Sequence, residues 1–162
     1  MNSKNQKFQF LPFIICLLIP LAIGALGGFF TFESVKTWYI TLNKPSFNPP
    51  NGIFGPVWTT LYILMGISSY LIWQKRKVIM GYHLAFFTYI LQLILNLMWS
   101  FLFFYQRQIG LALVEIGVLL ITIITTAFLF YRIDKRAGLL FIPYIIWVSF
   151  ASYLTYSIYI LN

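Results

Sequence analysis

Charge is what this sequence has least of. Only 9% of its 162 residues are Asp, Glu, Lys or Arg, and just 3 of these are acidic, whereas a soluble globular domain carries about 25% charged residues. The shortage excludes an ordinary water-soluble fold. A single cysteine, Cys16, excludes a disulfide framework and a multi-cysteine metal site. The one histidine, His83, stands near the end of an apolar stretch with no second ligand at matching depth, so it reads as an interfacial side chain and no metal site is expected. Nor is there a second intramembrane acid, a base or a spaced arginine ladder of the kind that builds a proton relay or a voltage sensor.

Hydrophobic length is abundant instead. Hydrophobic residues make up 60% of the chain, and a spanning helix needs about 20 mostly apolar residues because the hydrocarbon layer is roughly 30 Å thick. Five stretches qualify, at residues 8–30, 53–73, 82–105, 109–131 and 137–161. The expected fold is an all-α membrane protein, a single five-helix bundle. Connections of 8, 3 and 5 residues after the second, third and fourth stretches force consecutive helices to run antiparallel as neighbours. The first stretch follows a basic start, as a signal peptide does. Its 23 residues exceed the usual apolar region of about 7–15, and no clean cleavage site follows, so it is expected to remain as a helix.

The net charge of +8 has a topological explanation rather than a nucleic-acid one. Lys4, Lys7, Lys75, Arg76, Lys77, Arg132, Lys135 and Arg136 fall on one side of the five stretches, against Lys36, Lys44 and Arg107 on the other. The positive-inside rule makes the first side cytoplasmic, with the N-terminus in and the C-terminus out. Anionic lipid headgroups are the natural partners of those basic loops.

One connection is long. Residues 31–52 read TFESVKTWYITLNKPSFNPPNG, and Pro45, Pro49 and Pro50 make it a stiff, irregular strap. Irregular backbone cannot face lipid, so the strap is expected at the outer surface across the bundle mouth. Trp38 there suits an interfacial belt.

Within the stretches, polar and aromatic side chains recur at helical spacing: Trp58, Tyr62, Met65 and Ser69 in the second, Gln92, Asn96, Trp99 and Phe103 in the third, Tyr144, Trp147, Ala151 and Thr155 in the fifth. Aromatic stripes alone indicate helix packing. Gln92 and Asn96 add two carboxamides that are costly in hydrocarbon unless hydrogen-bonded, either in a clasp between helices or against a ligand. Amides beside indoles suit a flat aromatic guest with polar edges. Glu115, the sole intramembrane acid, stands near the outer end of its stretch, within reach of the interface or a neighbouring hydroxyl. Pro143 should leave the Leu139 carbonyl without its donor and kink the fifth helix. Gly24 with Gly28, and Gly81 with Ala85, form small-xxx-small pairs that permit close approach of helices, within the bundle or in a homodimer.

Four runs, WYITLNKPSFNPPNGIFGPVWTTLYILMGISSYLIW at 38–73, QLILNLMWSFLFF at 92–104, GLALVEIGVLL at 110–120 and PYIIWVSFASYL at 143–154, resemble the TspO/MBR family. These are the tryptophan-rich sensory proteins related to the mitochondrial translocator protein, or peripheral-type benzodiazepine receptor. The resemblance runs in order from the strap to the end of the chain. It implies a five-helix fold, often dimeric, in a bacterial cell membrane, with a pocket under the strap for porphyrins, haem-like tetrapyrroles and benzodiazepine-type or isoquinoline ligands. By matching position the pocket residues are Tyr39, Trp58, Gln92, Asn96, Trp147 and Ala151, with Phe54, Tyr62, Trp99 and Phe103 as walls. The resemblance also implies that Trp58 and Trp147 take part in a light- and oxygen-dependent porphyrin breakdown known for some members, with no cofactor required; a channel or scaffold is the remaining alternative. Two departures stand out. Thr155 replaces the family's Asn, and no basic residue follows Arg136, so the relatives' cholesterol motif is lacking.

Overall fold

The computed structural model describes residues 8–76 and 81–162. Lys4, Lys7 and Lys77, three of the basic residues counted toward the cytoplasmic side, lie outside the described residues. Everything regular in the described residues is helical: α1 (Phe10–Lys36), a 3-10 turn at Tyr39–Thr41, α2 (Asn51–Gln74), α3 (Tyr82–Ser100) running into a π-helical turn at Phe101–Tyr105, α4 (Ile109–Ile133), α5 (Lys135–Leu139) and α6 (Ile142–Leu161). Taking α3 with its π turn and α5 with α6, five helical spans are long and apolar enough to cross a membrane.

The spans are inside out compared with a soluble bundle. Phe29, Ile121 and Ile146 are each more than half exposed, as side chains that meet acyl chains should be. The buried core lies along the seams instead, where α1 packs on α2 and α3, and α4 packs on α3 and α6. Leu61, Met65, Tyr89, Leu93, Ile116, Ile123 and Val148 form its centre. Helices α1 and α2 approach closely at Gly66, where an added Cβ would come within 2.8 Å of the Leu17 backbone. That contact fixes α1 against α2 at mid-span.

The first helix outruns its apolar stretch. It continues past residue 30 to Lys36, taking the first six residues of the expected strap with it. Nothing in TFESVK breaks a helix, and the polar side chains find local partners: Thr31 Oγ1 donates back to the Gly27 carbonyl at 2.8 Å. The Ser34 hydroxyl donates to the Phe104 carbonyl in the π turn at 2.6 Å. The irregular strap is therefore shorter than expected, spanning residues 37–50.

That strap is tied down at both ends. The Tyr39 hydroxyl donates to Asn48 Oδ1 at 2.8 Å, and burial, partly offset by that bond, pushes the Tyr39 phenol up to about 12. Asn43 and Asn162 exchange hydrogen bonds, the Asn43 amide nitrogen reaching Asn162 Oδ1 at 3.0 Å and Asn162 Nδ2 reaching the Asn43 carbonyl at 3.0 Å. Phe47 stacks on Tyr153 of α6, with ring centroids 5.2 Å apart.

The fifth span differs from the expected kink. Rather than one bent helix, it is broken at Leu140–Phe141, and Pro143 sits in the first turn of α6. There its missing N–H costs nothing, because the opening amides of a helix have no intrahelical acceptor. Asp134 caps the short α5, accepting from the Arg136 amide at 2.9 Å, and its other oxygen meets Lys75 Nζ at 2.9 Å. Burial alone would raise the Asp134 carboxyl, but the Lys75 ammonium and the Arg136 donors outweigh it and hold the group below its ordinary value. Ser68 of α2 donates to the Ala137 carbonyl at 2.8 Å, so α5 is anchored to α2. Lys75, Arg76, Arg132, Lys135 and Arg136 all gather at this end of the bundle, opposite the strap.

Candidate functional site: an aromatic cavity under the strap

Beneath the strap, α1, α2, α3 and α6 stand around a cavity of about 540 Å³, within the range of roughly 300–1,000 Å³ that small-molecule pockets occupy. The seam between α2 and α6 is bridged by rings. Trp58 meets Tyr144 edge-on at 6.2 Å and Phe54 meets Trp147 at 5.8 Å. On the other wall Trp99 stacks on Phe103 at 5.2 Å, and Tyr39 of the strap meets Phe103 at 6.2 Å.

Of the ten residues assigned to the pocket from sequence, the structure places eight on its wall: Tyr39, Phe54, Trp58, Tyr62, Trp99, Phe103, Trp147 and Ala151. The two carboxamides are elsewhere. Gln92 and Asn96 lie behind the wall, fully or almost fully buried, in a chain of hydrogen bonds linking three helices. Tyr62 donates to Asn96 Oδ1 at 2.6 Å, Asn96 Nδ2 donates to the Tyr144 hydroxyl at 3.0 Å, and Tyr144 donates to Gln92 Oε1 at 3.0 Å. Gln92 Nε2 is left with only the Met65 sulfur, at 3.9 Å. The clasp between helices is thus the use the structure makes of these amides. It follows from cost: in hydrocarbon an amide that faced an apolar cavity would lose its partners. Their bearing on the site is indirect, since the clasp holds Tyr62, a wall residue, and Tyr144 beneath Trp58.

Sequence reasoning overlooked the α1 side. Gly24, Gly28, Thr31, Val35 and Lys36 line the cavity as well. The Gly24–Gly28 pair, read as a helix-packing motif, carries the missed signal. A Cβ on Gly24 would lie 2.3 Å from the Tyr62 ring, whereas one on Gly28 would meet nothing within 4 Å, so Gly24 permits contact with Tyr62 and Gly28 leaves open space. Gly81 meets no neighbouring helix; it precedes α3 at φ +98°, a left-handed conformation that favours glycine.

Other expectations resolve simply. Thr155 lines the cavity but gives its proton to the Ala151 carbonyl at 2.8 Å. Glu115 does not reach the interface or a hydroxyl: it is 8% exposed on α4, away from the cavity, with neither carboxyl oxygen hydrogen-bonded among the described residues. The indole nitrogens of Trp99 and Trp147 are also buried without acceptors there. His83 is exposed, and the described residues hold no cluster of three or more potential metal-ligating side chains.

A multi-pass membrane bundle with an aromatic cavity closed by a strap between its first two spans is the class of protein these features define. The TspO/MBR family profile matches residues 16–161, and the chain belongs to that family. It is 43% identical over 158 residues to the tryptophan-rich protein TspO of Archaeoglobus fulgidus, covering 94% of this chain and 97% of the relative. It is 35% identical over 153 residues to the tryptophan-rich sensory protein of Cereibacter sphaeroides, covering 94% and 90%. Identity to the translocator protein of Bos taurus is 35% over 153 residues, covering 91% and 88%. The chain is accordingly an integral multi-pass membrane protein.

Proposed function

We propose that this protein binds a tetrapyrrole of the porphyrin or haem type in the cavity under the strap and acts as a sensor or transporter-like protein. The observation that carries the reading is the wall itself: four helices and the strap contribute aromatic rings around a cavity of about 540 Å³, and flat apolar guests gain most from such surfaces. The names of the relatives, sensory in one case and translocator in another, fit a signalling or transport role. The concentration of basic residues at the end away from the strap favours that end as cytoplasmic, with the strap outside.

The test is a titration of protoporphyrin with purified protein in detergent. Saturable fluorescence quenching is expected, weakened when Trp58→Phe and Trp147→Phe are combined. Absence of saturable quenching in the unsubstituted protein sinks the reading.

A second reading, light- and oxygen-dependent porphyrin breakdown, rests on the placement of both Trp58 and Trp147 on the cavity wall. It requires time-dependent loss of porphyrin absorbance under illumination that the double substitution abolishes while binding persists. Equal bleaching by free tryptophan at matched concentration removes it. A bundle that serves only as a scaffold, with helices closed on one another below the strap, is disfavoured by the cavity.

A further inference from the structure

Among the described residues, Lys36 is the one formally charged side chain on the wall of this cavity. It ends α1 on the strap side, with Nζ 3.7 Å from the Phe32 ring centroid. Three acids exist in the whole chain, and none neutralises it. Asp134 is paired with Lys75 and Arg136 at the opposite end of the bundle, Glu115 is buried on α4, and Glu33, one turn before Lys36, lines the adjoining groove beside Phe29 and Tyr105 without an ion pair to it. Among the described residues Lys36 makes no ion pair. The lining threonines bring no free proton to the cavity either: Thr31, Thr59 and Thr155 each donate to a carbonyl of their own helix. A lysine on the wall of an apolar chamber, its ammonium over a ring of that same wall, is an arrangement that sorts guests by charge. A favourable position in the last turn of a helix explains a cation at residue 36, but not why that residue lines the cavity.

We propose that Lys36 selects the guest's charge and sets its orientation. The site takes an amphiphilic acid, a flat apolar body carrying a carboxylate, with the acid end at the strap and the ring among Trp58, Trp147 and Tyr62. This deepens the tetrapyrrole reading and rests on it.

The experiment compares protoporphyrin IX with its dimethyl ester, which keeps the ring and removes the charge, in a neutral detergent. The quantity read is the ratio of acid to ester affinity, compared between proteins so that micelle partitioning cancels. Lys36→Gln is expected to lower that ratio about two- to fivefold, the size of an exposed charge pair. Ester affinity should fall less than acid affinity, and Lys36→Arg should restore the ratio. In the unsubstituted protein the ratio should also fall as salt rises. A ratio unchanged in Lys36→Gln, with both compounds still bound, overturns the role of Lys36 and leaves the tetrapyrrole reading standing. Binding of neither compound to the unsubstituted protein removes the tetrapyrrole reading, and this inference with it.

Discussion

Replacing Tyr144 by Phe removes one oxygen atom and should loosen three helices. That hydroxyl accepts from Asn96 Nδ2 and donates to Gln92 Oε1, both at 3.0 Å, and Tyr144 is 1% exposed, so no water replaces it. Hydrogen bonds between membrane helices contribute about 0.6 kcal/mol on average and up to roughly 1.7. Two lost bonds therefore predict a destabilisation of about 1–3 kcal/mol. The ring remains, so its packing on Phe141 and Trp58 is retained and no cavity opens. Reversible unfolding in mixed micelles, titrating a denaturing detergent, reads the difference directly. A double-substitution cycle with Gln92→Leu should then show coupling, because once the amide is gone the phenol has one partner fewer to lose. Unchanged stability in Tyr144→Phe, or strict additivity with Gln92→Leu, would refute the clasp and return the carboxamides to the list of groups awaiting a ligand.

Other outcomes follow from the same contacts. Gly66→Ala should destabilise the fold by about 1–3 kcal/mol, measured in the same unfolding titration, because the new methyl meets α1 backbone that cannot rotate away. Asp134 has a folded carboxyl value depressed below the ordinary 3.8. Its contribution to stability is therefore fully present above the unfolded value of about 3.9 and is lost as pH falls through the lower folded value. Asp134→Asn should cost about 1 kcal/mol at pH 7 and flatten the decline in stability below about pH 4; a decline identical to that of the unsubstituted protein would assign it to other groups. Asn43→Ala removes only the exposed bond from Asn43 Nδ2 to the Leu161 carbonyl, so it should leave unfolding nearly unchanged yet speed exchange of the strap amides in hydrogen-exchange measurements.

The bundle was legible in the sequence because hydrocarbon imposes a length and a charge limit on each span, and five stretches meet both. Their ends were less so. Past Phe30 apolarity fades, but helix continuation depends on whether polar side chains find partners, and Ser34 finds one only in the π turn 70 residues later. Pro143 could be read as a kink or as a helix start, and the break at Leu140–Phe141 that decides between them depends on α5 being anchored to Ser68. Ring residues at helical spacing read by themselves as helix packing, since bulky aromatics on converging helices must meet; the family resemblance is what assigned Trp58, Tyr62, Trp99, Phe103 and Trp147 to a wall, and all of these line the cavity. Gln92 and Asn96 were ambiguous in sequence for a physical reason: hydrocarbon demands partners for an amide but does not say whether a tyrosine or a guest supplies them. The α1 wall was missed because glycines that leave space for a ligand look the same in sequence as glycines that admit a neighbouring helix.

The most direct test of a guest-binding cavity uses that glycine. A Cβ at Gly28 would meet nothing within 4 Å and Gly28 lines the cavity, so Gly28→Phe should place a ring in the chamber, with the unfolding midpoint as the check on strain. In a protoporphyrin titration monitored by fluorescence, the unsubstituted protein is expected to bind saturably. Gly28→Phe, with its unfolding midpoint preserved, should bind at least about tenfold more weakly, the equivalent of roughly 1.4 kcal/mol. Equal affinity in the two proteins would contradict the account.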